Sequence, residues 1–196
     1  MQSARRRTVA AQNVSRMCLV CGVENAAGLR ARFYELAPAD EAAVPPASAG
    51  ASRELLGVFV PRAEHQGYPG RLHGGVASAI LDETIGRAIT MVHPDVWGVT
   101  AELTVRYLRP VALDRDIKAI ARITRDTRRL FEGTGEILLA DGTVAVRASG
   151  KYVKMSLEEI TEHGMDESEW FADGRPRPRV VDLAEQGAAG SGESGR

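Results

Sequence analysis

Cysteine is nearly missing from this 196-residue chain, with only Cys18 and Cys21 present. One such pair excludes a disulfide framework. It also falls short of a tetrahedral zinc site, which needs four ligands. No second pair and no histidine at finger spacing is present, so only a dimer pooling two pairs completes one. The pattern around the pair shows no βαβ unit of the kind a thioredoxin-type redox role uses, and a packing or lead-in role is the expectation. No apolar run approaches the ~20 residues that a membrane helix needs. Charge of one sign is lacking as well: 25 Lys and Arg face 26 Asp and Glu, for a net charge of −1. That argues against a basic nucleic-acid binder and against an acidic solvating protein. Neither the G-x-S-x-G nucleophile elbow of the α/β-hydrolases nor a G-x-x-x-x-G-K-[ST] phosphate loop is present.

The charge that is present is unevenly placed. Residues 1–17 hold four Arg and no acid, residues 100–155 are net +4, and residues 156–196 are net −6. The N-terminus has the charge of a signal sequence but no apolar segment behind it, so the chain is expected in the cytoplasm. A transit peptide would share its Arg-rich, acid-free composition. Residues 1–16 are expected to form a disordered basic arm, 17–163 a single domain, and 164–196 a largely disordered tail. Within the domain, residues 37–53 (APADEAAVPPASAGASR) read as a flexible loop.

Strand patterns cover Leu29–Leu36, Glu54–Pro61, Val99–Arg109, Ile117–Thr124, Leu130–Leu139 and Thr143–Val153. In the third of these, Ala101, Leu103, Val105 and Tyr107 share one face while Glu102, Thr104 and Arg106 share the other. Asp141-Gly142 marks a tight hairpin. Short connections make the last four strands an antiparallel meander. From Gly75 to about Val92 the apolar residues fall at helical spacing, and Pro94 ends the run. Asp82 and Glu83 lie in the middle of this otherwise apolar helix, where an unpaired charge is costly. One buried helix among antiparallel strands indicates an α+β fold, a sheet wrapped around a helix, which is the hotdog arrangement. A two-layer α+β sandwich with another strand order fits the same periodicity.

The stretch HQGYPGRLHGGVASAILDETIG (His65–Gly86) concentrates the chemistry. Its glycines bring backbone N–H groups near a ligand, and the helix that follows offers unpaired N–H groups to a negative oxygen. Three elements together resemble the PaaI-like hotdog acyl-CoA thioesterases: His73-Gly74-Gly75 with an acid nine residues on at Asp82, the strand TAELTVRYLRPV (Thr100–Val111), and the opening CLVCGVENAAGL (Cys18–Leu29). The resemblance covers about residues 17–155. It implies hydrolysis of acyl-CoA without metal or bound cofactor, by a homodimer or homotetramer. Gly74 polarises the thioester carbonyl, Asp82 of the other protomer acts as general base or nucleophile, and Thr100 helps hold the water. His73 and Gly75 belong to the binding turn. Gln66, or His65 beside it, is the candidate for a further contact to carbonyl or water. Arg125, Arg128 and Arg129 cluster at one hairpin and are candidates for the phosphates of coenzyme A, with a solvated sheet surface as the alternative. Tyr68, Ile85, Ile89 and Met91 are candidates for an acyl tunnel.

Other readings stand beside these. Asp82 pairs with Arg87 or Arg106 if it is structural. Glu83 is expected to pair with Arg87 four residues on. His73 is expected to position the turn rather than to act as a base. A hotdog enoyl-CoA hydratase or dehydratase, or a non-catalytic acyl-CoA-binding domain, are the alternatives to hydrolysis. No nucleic acid or membrane partner is implied.

Overall fold

An antiparallel sheet curls around one helix, α1 (Gly74–Arg87), in the computed structural model, which describes residues 5–37, 53–113, 115–161 and 167–184. The loop expected at 37–53 lies almost wholly outside the described residues, as does Asp114. The strands are β1 (Arg5–Ala11), β2 (Val14–Ser15), β3 (Arg32–Leu36), β4 (Glu54–Phe59), β5 (Trp97–Tyr107), β6 (Ile117–Asp126), β7 (Leu130–Leu138), β8 (Val144–Met155), β9 (Trp170–Phe171) and β10 (Val180–Asp182). A one-turn helix, α2 (Leu157–Ile160), follows β8. Eight strands form the main sheet in the order β10-β1-β3-β4-β6-β7-β8-β5, and β2 pairs separately with β9.

Helix α1 stays where it is because its apolar stripe is buried. Ile80, Leu81 and Ile85 are closed off from solvent, as is Ile89 in the 3-10 turn that extends the helix to Met91. Each such side chain stabilises the fold by about 1.5–3 kcal/mol. The sheet admits the helix at close range through glycine. A Cβ on Gly133 would stand 2.6 Å from Ile85 Cγ2, so any larger residue in that part of β7 pushes the helix away. The β7–β8 hairpin turns at Asp141-Gly142, with Gly142 at φ +80° and the Asp141 side chain accepting from Thr143 N–H at 2.9 Å.

The meander expected for the last four strands holds only for β6, β7 and β8. Strand β5 pairs with β8 at the sheet edge and not with β6. The connection at residues 108–116 crosses the ends of two strands to reach β6. Nine residues reach up to about 30 Å, and three strand spacings span roughly 14 Å, so the link is long enough to skip. Sequence pattern gives the strands but not which neighbour each one takes.

Both ends also differ from expectation. In the arm expected to lack structure, β1 pairs with β3 and β10. Its arginines find acids: Arg6 Nη1 meets Glu54 Oε2 at 2.7 Å with both side chains largely buried, and Arg5 meets Asp182 at 3.1 Å. In the tail, β9 pairs with β2, Trp170 packs edge-on against Trp97 at 4.7 Å between ring centroids, and Asp173 pairs with Arg32. The two ends meet each other through β1–β10, β2–β9 and the Arg5–Asp182 pair, a long-range match that local composition does not show. No helix among the described residues is long and apolar enough to cross a membrane.

Candidate active site

The helix begins on a histidine cap. His73 has extended backbone (φ −65°, ψ 135°), and its Nδ1 accepts from Gly75 N–H at 2.9 Å. The N–H groups of Val76 and Ala77 bond to His73 O at 3.0 and 3.1 Å. Among the described residues the N–H of Gly74 is left without a bond, which is what an oxyanion donor at a helix start requires. Tyr107 at the end of β5 donates to Gly74 O at 3.0 Å and meets Ser78 Oγ at 2.6 Å, fixing the turn against the edge strand.

Among the described residues Asp82 pairs with no arginine. Thr100 Oγ1, on β5, donates to its Oδ1 at 2.8 Å, and Tyr152 OH, on β8, donates to Oδ1 and to the backbone O, each at 3.2 Å. Tyr152 is itself buried and stacked on Phe131, with ring centroids 4.9 Å apart. Burial pushes the Asp82 carboxyl above its ordinary value, the two hydroxyl donors pull against that, and Glu83 adds to the rise. The Tyr152 hydroxyl is raised by burial and then by the neighbouring carboxylate, so it remains a proton donor to Asp82. Glu83 turns away and bonds Arg87 Nε at 2.7 Å, the expected pair four residues apart.

Asp82 opens on a recess of about 100 Å³ shared with Glu83, Arg87, Trp97, Thr100 and Tyr152. Binding sites for small molecules usually enclose about 300–1,000 Å³, and this recess among the described residues is smaller than that. Gly74 and Asp82 are also eight residues apart on one helix, about 12 Å along its axis. A larger recess of about 380 Å³ lies between Arg71, Ala112 and the β7–β8 hairpin. There the Asp141 carboxylate is already spent on the turn.

The structure thus brings Thr100 to Asp82 and sets His73, Gly74 and Gly75 at the helix start, while other candidates stand apart. Gln66 Oε1 accepts from Gly70 N–H at 2.8 Å and so closes its own loop. His65 beside it is buried; its Nδ1 accepts from Arg62 N–H at 3.0 Å, and its Nε2 has no partner among the described residues. Arg125 pairs with Glu132 at 3.3 Å, and it lies with Arg128 and Arg129 exposed around the β6–β7 turn. That turn sits beyond the far end of α1 from Gly74, since Asp126 bonds His93 at 2.7 Å. The tunnel candidates do not form one lining: Ile85 and Ile89 are core, and Tyr68 is 81% exposed. Tyr152 and Trp97 were not legible as site residues, because an aromatic in a strand reads as packing and nothing local shows a hydroxyl aimed at a helix carboxylate.

Comparison with known proteins adds a family to this geometry. Residues 69–146 match the model of the thioesterase superfamily. An uncharacterized protein of Schizosaccharomyces pombe is 28% identical over 109 residues, covering 54% of this chain and 62% of that protein. A crystal structure described as a thioesterase superfamily protein superposes with a TM-score of 0.58 at 30% identity, over 71% of this chain and 61% of its own. The chain therefore spans less than two thirds of the length of either relative. A thioesterase from Haemophilus influenzae shares the fold, with a TM-score of 0.55 at 15% identity over 73% of this chain and 89% of its own.

Proposed function

Because this chain belongs to the thioesterase superfamily and has its hotdog fold, we propose that it is a cytoplasmic hydrolase of acyl-CoA thioesters, releasing a free carboxylic acid and coenzyme A. The observation that carries the reading is Asp82 itself: a half-buried carboxylate on an apolar helix, held by two hydroxyl donors and facing an open recess. In the proposed reaction Asp82 takes a proton from a water that attacks the thioester carbonyl, with Thr100 fixing the carboxylate that receives it. A positioned base contributes roughly 10²–10⁴-fold. The carbonyl oxygen becomes negative and is stabilised by Gly74 N–H and the start of α1, a kind of donor worth about 2.7–4 kcal/mol in comparable hydrolases.

Gly74 and Asp82 lie about 12 Å apart along α1, which supports a homodimer, or a dimer of dimers, with each site built from Gly74 of one protomer and Asp82 of its partner. Edge strand β5 supports this. It is eleven residues long, is bonded on one side only among the described residues, and leaves Val99, Tyr107 and the following Leu108 exposed. Natural proteins cover such an edge. Arg125, Arg128 and Arg129 are proposed to meet the nucleotide phosphates.

Incubating the protein with a panel of acyl-CoA substrates and a thiol reagent tests the reading. Release of free thiol supports hydrolysis. Hydration of an enoyl-CoA with the thioester intact would replace it with a hydratase, and binding without turnover would replace it with a sensor.

A further inference from the structure

Cys18, Cys21 and Glu83 gather beside the recess, with their ligand atoms all within 4.8 Å of one another. A metal ion is the first thought for such a cluster, but it already carries a cation. The Arg87 guanidinium donates to Glu83 Oε1 at 2.7 Å, to Cys21 Sγ at 2.8 Å and to Asn13 O at 2.8 Å. It is nearly closed off from solvent between the rings of Phe33 and Trp170, each 4.4 Å from its carbon. Three ligands and a buried guanidinium do not make a zinc site.

The two sulfurs are not equivalent. Cys18 is partly exposed; its Sγ accepts from the backbone N–H groups of Val20 at 3.3 Å and Cys21 at 3.5 Å, and its thiol donates to Glu83 Oε1 at 3.9 Å. Cys21 is buried under Arg87. An accessible sulfur cradled by N–H donors, with a second thiol sealed behind it, is the division of labour of a reactive dithiol.

We propose that Cys18 and Cys21 form a dithiol–disulfide site for peroxides, joined through Arg87 and Glu83 to the recess at Asp82. The Cys18 thiolate attacks one peroxide oxygen, the O–O bond breaks, and the leaving oxygen departs with a proton as water or alcohol. Cys18 is then a sulfenic acid. The Cys21 sulfur attacks it, the S–O bond breaks, and water leaves carrying the Cys21 proton. The two thiols lose two electrons to form one S–S bond, and the peroxide gains them. Forming the bond takes from Arg87 its sulfur acceptor and turns the Cys18 thiolate, which faces Glu83, into a neutral group.

The electrostatics agree with these roles. Cys18 is lowered to about 6, chiefly by the hydrogen bond from the Cys21 thiol, against burial and Glu83. Cys21 is raised by that same hydrogen bond and by burial.

The test treats the full-length reduced protein with hydrogen peroxide and follows mass and free thiols. The expected product has lost two hydrogens and both thiols together, and dithiothreitol restores it. Cys21→Ser is expected to gain oxygen at Cys18, and Cys18→Ser to stay unmodified at the same dose. Wild-type protein that keeps both thiols, or that gains oxygen without forming the bond, overturns the proposal. Since the wild-type readout needs no variant, poor folding of either serine variant leaves the test standing. Iodoacetamide labelling of Cys18 should show a midpoint below the ordinary value of ~8.5, and a midpoint at or above that value counts against it. Only the link to activity rests on the hydrolase reading: oxidised protein should turn over thioester at least threefold more slowly than reduced protein, and equal rates overturn that link. The mass readout does not depend on thioester turnover, so failure of the hydrolase reading shows separately.

Discussion

Thr100 Oγ1 stands 2.8 Å from Asp82 Oδ1, a hydrogen bond from the sheet edge to the middle of the central helix. It ties the carboxylate to β5, the strand that also carries Tyr107 to the helix start at Gly74. One edge strand therefore positions both parts of the proposed chemistry, and a chain pairing along that edge lies close to both.

Replacing Thr100 with Val removes a hydrogen bond to a charged group, an interaction worth about 1.5–3 kcal/mol. We expect kcat to fall roughly 10–100-fold with KM little changed. Tyr152→Phe keeps the stack on Phe131 and loses the other donor, so it should lower kcat in the same direction. Steady-state kinetics on one good substrate decide both. Unchanged kcat in both variants would separate the hydroxyls from catalysis.

Burial raises Asp82 above its ordinary 3.8, and the reaction needs it ionised. Activity should therefore rise with pH on an acid limb lying above 3.8 and then level off. Thr100→Val should move that limb upward, since the Thr100 bond lowers the group. The same shift sets a stability dependence. Below the unfolded value both states hold the proton and nothing is lost. Between the unfolded and folded values the unfolded chain ionises first, so stability falls, and the penalty is complete above the folded value. Asp82→Asn should raise Tm at pH 7, with the gain vanishing below about pH 4. Melting curves at the two pH values check this, and a lower Tm at pH 7 contradicts it.

A shared active site predicts rescue by mixing. Gly74→Pro deletes the proposed oxyanion N–H at the first helical position, where Pro is well accepted. His73 before it already has the extended backbone that a following Pro requires. Gly74→Pro and Asp82→Asn should each be impaired by about 10²-fold or more as homodimers. In a mixed dimer one of the two sites keeps both groups, so equal mixing should recover roughly a quarter of wild-type activity. No recovery after verified subunit exchange contradicts a site built across two chains.

The fold was legible where the pattern is local. The helical stripe from Val76 to Ile89, the alternation in β5 and the Asp141-Gly142 turn each declare themselves within one short segment of chain. Edge placement of β5, and the pairing of Arg5 and Arg6 with acids at Asp182 and Glu54, depend on contacts far apart in sequence. Asp82 was legible because a carboxylate on an apolar helix is costly. Tyr152 was not, because its inward position on β8 is what any core aromatic shows. In sequence the C-x-x-C reads as packing or lead-in, and its asymmetry appears only once Arg87 and the turn are in place.

Changing Arg125, Arg128 and Arg129 together to Ser should raise KM for acyl-CoA by several-fold and leave KM for the matching acyl-pantetheine unchanged, since only the former carries nucleotide phosphates. The effect should fade as salt is added, as for exposed charges. Equal KM changes on both substrates would make these arginines ordinary surface. Arg125 alone should contribute least, because Glu132 already holds it.

The most direct measurement compares Asp82→Asn with Glu83→Gln on one good acyl-CoA substrate. Asp82→Asn keeps the size of the side chain and removes the base, so kcat should drop about 10²–10⁴-fold with KM little changed. Arg87 holds the Glu83 carboxylate at 2.7 Å, so Glu83→Gln should leave kcat within about threefold, the scale of a lost helix pair. An active Asp82→Asn beside an inactive Glu83→Gln would move the chemistry to the neighbouring carboxylate, and full activity in both would contradict the mechanism built on this helix.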